Sequence, residues 1–218
     1  MRLPKSFNDI TVQQYQDCVR IINDKDYDEF LGDITPHVRL LAYLSGNTED
    51  KILELCTKSD IIKYYKELDF LNDVEALEQA PLKRLIVANG NIYHALIGME
   101  DFKSGQNLTL KMLEEKNNIS EYLSQMLATM YVPVNWFGKP KKYKASRHSK
   151  ISEDLKHARL GDVYGMLVFK KKVFEVSSLI MESYLKQATQ TIQGVMPEVM
   201  EWAKKNPHIL AQAGLKLS

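Results

Sequence analysis

The chain has 218 residues, 44% hydrophobic and 26% charged, with 10 Gly, 7 Pro, 2 Cys and a formal net charge of +1. Those values exclude a disordered chain, which needs few apolar residues and a large net charge, and they exclude disulfide-dense or collagen-like sequences. The length allows one or two domains with a real core.

Residues 1–10 hold no apolar run of signal-peptide length, and no window reaches the ~18–20 uninterrupted apolar residues of a membrane span. A protein made in the cytoplasm, with no membrane partner, is expected. Residues 1–10 read as an extended leader, with Pro4 biasing its neighbour away from helix. A first helix is predicted over 11–23, where Val12, Tyr15, Val19 and Ile22 form one apolar stripe. The acidic loop Asp24, Asp26, Asp28 and Glu29 follows. Thr35 as N-cap with Pro36 at the first helical position predicts a helix through Val38, Leu41 and Leu44, ending at Ser45-Gly46. Thr48 caps a short helix with Ile52, Leu55 and Cys56. Ser59 or Asp60 caps another, with Ile61, Ile62, Tyr65 and Leu68 inward.

Residues 82–97 break the helical period. Asn89-Gly90 lies between two β-prone runs, and both positions of a two-residue hairpin turn need φ > 0, so strands are predicted near 83–88 and 91–97. A lone hairpin is marginal in water and needs packing on helices or strands from a neighbouring molecule. Helices resume near Asn107. Asn118 with Glu121 fits a capping-box variant before the stripe Ile119, Tyr122, Leu123, Met126, Leu127 and Met130. Pro133 ends that region, and 132–150 reads as loop. A short polar helix near 152–159 precedes the longest helical pattern, from Asp162 to Ile192, with Gly165 as a weak point. Gly194 stops it. Pro197 opens a final helix, which Asn206-Pro207 breaks. The expected architecture is a mainly α multi-helix bundle with one β-hairpin and a long C-terminal helix. Its organisation is a helical part at 1–135, a basic loop at 136–150 and a helical part at 151–218, joined as one domain or loosely separated.

Motifs of site chemistry are missing. The acidic loop places Glu29 where an EF-hand needs Gly and Thr35 where it needs a bidentate Glu. His148 and His157 lie nine apart, without the spacing of a zinc site. Gly161 to Gly165 has no following Lys-Ser/Thr, and no Gly-x-Ser-x-Gly elbow occurs. Cys18 and Cys56, at helical spacing among apolar residues, read as buried free thiols. No catalytic residue, metal site or cofactor is expected.

The charges are unevenly placed. Residues 1–138 carry 14 Lys+Arg and 21 Asp+Glu, residues 139–172 carry 11 and 3, and residues 173–218 carry 4 and 4. Within 139–150 stand Lys139, Lys141, Lys142, Lys144, Arg147 and Lys150 with no acid, interleaved with Tyr143 and preceded by Trp136 and Phe137. Three readings follow. The segment is a solvated loop, or a contact for an acidic protein surface such as the acidic part of an identical copy, or a contact for nucleic acid. Trp136, Phe137 and Tyr143 are candidate aromatic anchors of a partner-binding site. The other reading of Trp136 and Phe137 is that they fasten the loop to the chain's own core. Lys170, Lys171 and Lys172 are expected toward the exposed side of the long helix, though a helix cannot present all three on one face.

Three elements together resemble a known group. They are Leu3-Pro4, Ser6-Phe7 and Asp9-Ile10-Thr11 at the start; Asn89-Gly90-Asn91-Ile92-Tyr93; and Gly105-Gln106, Asn118-Ile119 and Leu127-Ala128-Thr129-Met130-Tyr131-Val132-Pro133. Over about residues 1–135 this is similar to small virion or assembly proteins of tailed phages infecting Bacteroidetes, including the crAss-like phages. The resemblance implies a non-enzymatic head–tail or tail component, a virion cargo protein, or a tail assembly chaperone. Its partners would be identical copies and other virion proteins.

Overall fold

The computed structural model describes residues 1–24, 31–98, 104–114, 119–173, 183–186 and 201. The protein is mainly helical, with a small antiparallel sheet. It divides into two compact units, Met1–Phe169 and Lys170–Ser218, so the segment 132–150 lies inside the first unit rather than at a boundary.

The first ten residues are not an open leader. The Asp9 carboxylate accepts from the Lys5 backbone N–H and the Ser6 hydroxyl, both at 3.0 Å. The resulting turn buries Leu3, Phe7 and Ile10. Phe7 packs edge-on against Tyr15 and Phe70. The strip is bonded to a distant part of the chain. The Val12 N–H donates to the Ala158 carbonyl, the Leu160 N–H to that of Ile10, and the Gly161 N–H to that of Phe7.

Helix α1 spans Val12–Asn23 and starts with a capping box in which Thr11 and Gln14 satisfy each other's backbone N–H groups. Its buried face runs through Val12, Asp17 and Cys18, while Ile22 is exposed, so the predicted stripe is rotated. Asp17 can occupy that face because the Tyr43 hydroxyl (2.6 Å), the Arg20 guanidinium (2.7 Å) and the Gln13 amide (3.0 Å) satisfy its carboxylate.

Helix α2 spans Thr35–Ser45, but Thr35 does not cap it. A 3-10 turn, Gly32–Ile34, runs directly into the helix, and the Thr35 hydroxyl donates back to the Gly32 carbonyl at 2.8 Å. Gly46 ends α2 in the left-handed region at φ +70. Helix α3, Glu49–Leu55, is capped by Thr48 as predicted. Helix α4, Lys58–Lys66, is capped by Thr57 rather than Ser59 or Asp60; Asp60 is its partner three residues on. Asp73 caps a short helix α5, Val74–Glu78. Helix α2 packs on α1, α3 and α4, with Val38, Leu41, Ile52, Ile61 and Leu68 in one buried cluster. Of the residues predicted inward here, Leu55 and Ile62 are exposed. Both cysteines are free thiols; Cys18 is buried and Cys56 half-buried. Burial, helped by the neighbouring Asp17 charge, pushes the Cys18 thiol up to about 12.

The predicted hairpin is present as β1, Leu85–Ala88, and β2, Asn91–Ala95. Asn89 and Gly90 turn between them at φ +47 and +72, as a two-residue loop requires. The support the hairpin needs comes from its own chain. Strand β3, Tyr131–Pro133, lies beside β2 with Tyr93 opposite Pro133, giving the order β1-β2-β3. Helix α6, Ser104–Glu114, precedes α7, Ile119–Met130, which runs straight into β3. Leu123, Met126, Leu127 and Met130 of α7 are buried, and α7 packs on α1, α6 and α8. Helix α8 spans His148–Leu155, so it starts inside the basic segment.

Helix α9 covers 160–173 among the described residues. A Cβ on its Gly165 would stand 2.5–2.7 Å from backbone atoms of Ala80 and Pro81, so the glycine permits a close backbone approach rather than merely weakening the helix. Lys170 is buried, contrary to expectation, while Lys171 and Lys172 are exposed. Residues 183–186 are helical, consistent with the predicted long pattern. The rest of 174–192, the features at Gly194, Pro197 and Asn206-Pro207, the loop residues Asp26, Asp28 and Glu29, and Asn118 lie outside the described residues.

Candidate functional site

The segment predicted as loop at 132–150 is mostly built structure. Beyond β3 the Val134 N–H donates to the Ile92 carbonyl at 2.9 Å, and the chain turns back to form a bridge between Val134 and Pro140. The Lys141 N–H then donates to the Pro133 carbonyl at 2.9 Å. The turn between is folded by Asn135. Its side-chain oxygen accepts from the backbone N–H groups of Phe137 (3.0 Å) and Lys139 (2.8 Å), and its own N–H donates to the Lys139 carbonyl. Asn suits this place because its short carboxamide mimics a backbone turn. Gly138 closes the turn at φ +78, where a Cβ would be strained.

This turn carries Trp136 and Phe137 outward. They are 88% and 73% exposed, edge-on to each other with ring centroids 4.8 Å apart. They do not fasten the loop to the core; Asn135 and the strand bonds do that.

The antiparallel register puts the 135–138 turn and the Asn89-Gly90 turn at the same end of the sheet. On the outward face of the hairpin, Val87 and Ile92 next to the turn are 66% and 51% exposed, and Leu85 at the far end of β1 is 57% exposed. Val87 lies opposite Ile92, whose carbonyl holds Val134. The opposite face, with Ile86, Tyr93 and Ala95, is buried. The exposed strand residues were not predicted as site residues. Leu85-Ile86-Val87 is apolar at consecutive positions, and such a run normally signals a strand covered on both faces. Its outward half is uncovered here.

From below, α8 pins this end of the sheet. Buried Asp154 accepts from the Tyr93 hydroxyl (2.5 Å) and from the side-chain amides of Asn89 (2.8 Å) and Asn91 (3.3 Å). Burial, then the bond to Asp154, raises the pKa of the Tyr93 hydroxyl.

The basic residues follow the turn in the chain. Lys139, Lys141, Lys142, Lys144, Arg147 and Lys150 are exposed, and none forms an ion pair among the described residues. Arg147 and Lys150 stand at the start of α8, whose first turn holds no acid. Cations at a helix N-terminus oppose the helix dipole by about 0.3–1 kcal/mol each, so their placement is not explained by local stability. Tyr143 differs from the other candidates. It is half-buried, and its hydroxyl lies 3.1 Å from His148 Nδ1. Burial raises the Tyr143 pKa and lowers that of His148, which favours the neutral form of both partners, and the direction of the bond follows the imidazole tautomer. Tyr143 thus ties the basic segment to α8 and is not a free anchor.

Elsewhere, an open cleft of about 740 Å³ between α1, α7 and α8 is lined by Gln13, Asp17, Arg20, Ser124 and Lys156. Its Asp17 and Lys156 are engaged in ion pairs with Arg20 and Glu153, both at 2.7 Å. Among the described residues no group of three or more His, Cys, Asp or Glu is placed to hold a metal ion. No described helix is long and apolar enough to cross a membrane. No family model, no curated protein and no solved structure matches the chain.

Proposed function

We propose that this protein is a non-enzymatic structural component of a phage virion, a head–tail or tail component or a cargo protein, acting through oligomeric protein–protein contacts. The observation that carries the interaction role is the pair Trp136 and Phe137, exposed on a turn braced by Asn135. Large exposed aromatics on an ordered support are what interface hot spots use, and contiguous apolar surface of this kind marks interaction sites. Exposed Val87 and Ile92 stand at the same end of the sheet, and cations with no ion pair among the described residues fit an acidic protein surface. The virion setting rests on the resemblance of the opening, the Asn-Gly hairpin and the α7–β3 run to small phage assembly proteins.

The test is mass spectrometry of purified particles carrying either the wild-type chain or Trp136→Ala with Phe137→Ala. The wild type is expected at a fixed copy number and the variant is expected to be depleted. Absence of the wild type from particles refutes the reading, and absence together with binding to tail proteins in the cell points to a tail assembly chaperone. A second reading is favoured by six cations with no ion pair among the described residues, following two exposed aromatic rings in the chain, a pattern that also suits nucleic acid. Affinity for DNA would then fall steeply with salt; no binding at low salt eliminates it.

A further inference from the structure

The two edges of the sheet differ. On the β3 side the chain itself returns along the edge, through the Val134–Pro140 bridge and the bond from the Lys141 N–H to the Pro133 carbonyl. The β1 edge is bare, and two bonds fix which of its groups face outward. The Ala95 N–H donates to the Arg84 carbonyl at 2.8 Å, so by alternation Ile86 and Ala88 also exchange bonds with β2. The Ile92 carbonyl is taken by the Val134 N–H on the far side, so Val87 opposite it is not bonded to β2. The N–H and C=O groups of Leu85 and Val87 therefore point away from the sheet, and no hydrogen bond reaches them among the described residues. The strand reads Leu-Ile-Val-Ala, with no charge, no Pro and an unbroken register. It lacks the devices that normally keep an edge from pairing.

We propose that β1 pairs with β1 of a second copy, antiparallel about a two-fold axis at Ile86, joining two three-stranded sheets into one of six strands. The edge is complementary to itself. Its two bare positions stand symmetrically about Ile86, so Leu85 of each copy meets Val87 of the other and four main-chain bonds form. On the outward face each exposed Val87 then lies between its own Ile92 and Leu85 of the other copy, which joins the two apolar patches into one strip. Charge fixes the direction. The antiparallel register sets Arg84 opposite Ala88, whereas a parallel in-register pairing would set Arg84 against Arg84. A two-fold contact of this kind closes at a dimer. It uses neither Trp136, Phe137 nor the basic residues, so it stands apart from the reading of the aromatic turn. The 135–138 turn lies at the Asn89-Gly90 end of each sheet, so the two-fold carries the two aromatic turns to opposite ends of the joined sheet. The dimer presents two docking tips facing apart.

Sedimentation over a concentration series, with amide hydrogen exchange read by NMR, tests this. Wild type should pass from monomer to dimer and grow no further. As it does, the Leu85 and Val87 amides should slow at least about tenfold, while those of Ile86 and Ala88, bonded within the hairpin, stay slow throughout. Val87→Pro removes an outward N–H and no bond of the hairpin, and Val87→Lys sets a charge on each side of the axis. Each should weaken dimerisation at least about tenfold, with circular dichroism showing the fold retained. Trp136→Ala with Phe137→Ala should dimerise like wild type. Raising salt from about 0.1 M to about 1 M should leave the dimer intact, because no ion pair holds it. A chain that is monomeric at every concentration overturns the proposal, as do Leu85 and Val87 amides that exchange equally in monomer and dimer, or Val87 variants that dimerise like wild type. A dimer lost with the aromatic rings or with salt also overturns it, and assigns association to the turn and its cations instead.

Discussion

Replacing Gly165 by Ala separates two arguments because they predict opposite signs. Helix propensity alone favours Ala over Gly by about 1 kcal/mol in a helix interior. The packing says the reverse. A Cβ there would lie 2.5 Å from the Pro81 carbonyl oxygen, 2.6 Å from that of Ala80 and 2.7 Å from the Pro81 carbonyl carbon. Ordinary contacts begin near 3.4 Å, so the overlap approaches an ångström against three backbone atoms that cannot rotate away. Overpacking a filled site costs about 1–3 kcal/mol, and an immovable backbone belongs at the upper end. Subtracting the propensity gain leaves about 2 kcal/mol of destabilisation, roughly 4–8 °C in Tm for a unit of this size. The control is Gly105→Ala in α6, where nothing lies within 4 Å of the added carbon. It should stabilise by up to about 1 kcal/mol. Thermal and urea unfolding of both variants against wild type decide the matter. A Gly165→Ala chain as stable as wild type, or more so, refutes the close approach of α9 to Ala80 and Pro81.

Removing the acceptor under the hairpin, Asp154→Ala, leaves the buried Tyr93 hydroxyl without its bond and should cost about 2–3 kcal/mol, read by urea unfolding. Asn135→Ala should cost only about 1 kcal/mol while speeding hydrogen exchange at the Phe137 and Lys139 amides, since the fold elsewhere does not depend on that turn. His148 has a pKa lowered by burial from a starting value of 6.5. The unfolded chain therefore binds a proton at higher pH than the folded one, and stability is full above pH 6.5 and falls as pH drops toward the lowered value. His148→Phe should lose less stability than wild type between pH 6.5 and 5 in parallel thermal melts; equal losses count against the burial of His148.

The legible parts of this fold were those written in local chemistry. Asn89-Gly90 specifies a turn because few residue pairs accept two positive φ values in succession, and Thr48 specifies a helix start through one side-chain oxygen. The unreadable parts depend on distant partners. Strand β3 is three residues long and contains Pro133, and only its pairing with β2 makes it a strand. Thr35 carries a strong start signal, yet the 3-10 turn before it extends the helical path and turns its hydroxyl back on Gly32. For the candidate site, the basic run was visible as composition. Whether Trp136 and Phe137 point inward or outward was not, because the answer lies in the Asn135 hydrogen bonds and in a sheet with room on one side. Leu85, Val87 and Ile92 were hidden by the same ambiguity: an apolar strand does not announce which face is left bare.

The bonding of the first residues to the segment around Ala158 and Gly161 bears on how the chain is made. A ribosome delivers Leu3, Phe7 and Ile10 well before the carbonyl and amide groups that hold this strip, which are roughly 150 residues further on. At about 5–20 residues per second they emerge roughly eight to thirty seconds later. For that interval the strip lacks its backbone bonds to Ala158, Leu160 and Gly161, although Leu3 and Phe7 can already pack on residues of α1 to α4 and on Phe70. The backbone of residues 7–12 is thus bonded only late, and completion of the first unit is timed by translation of its final helix.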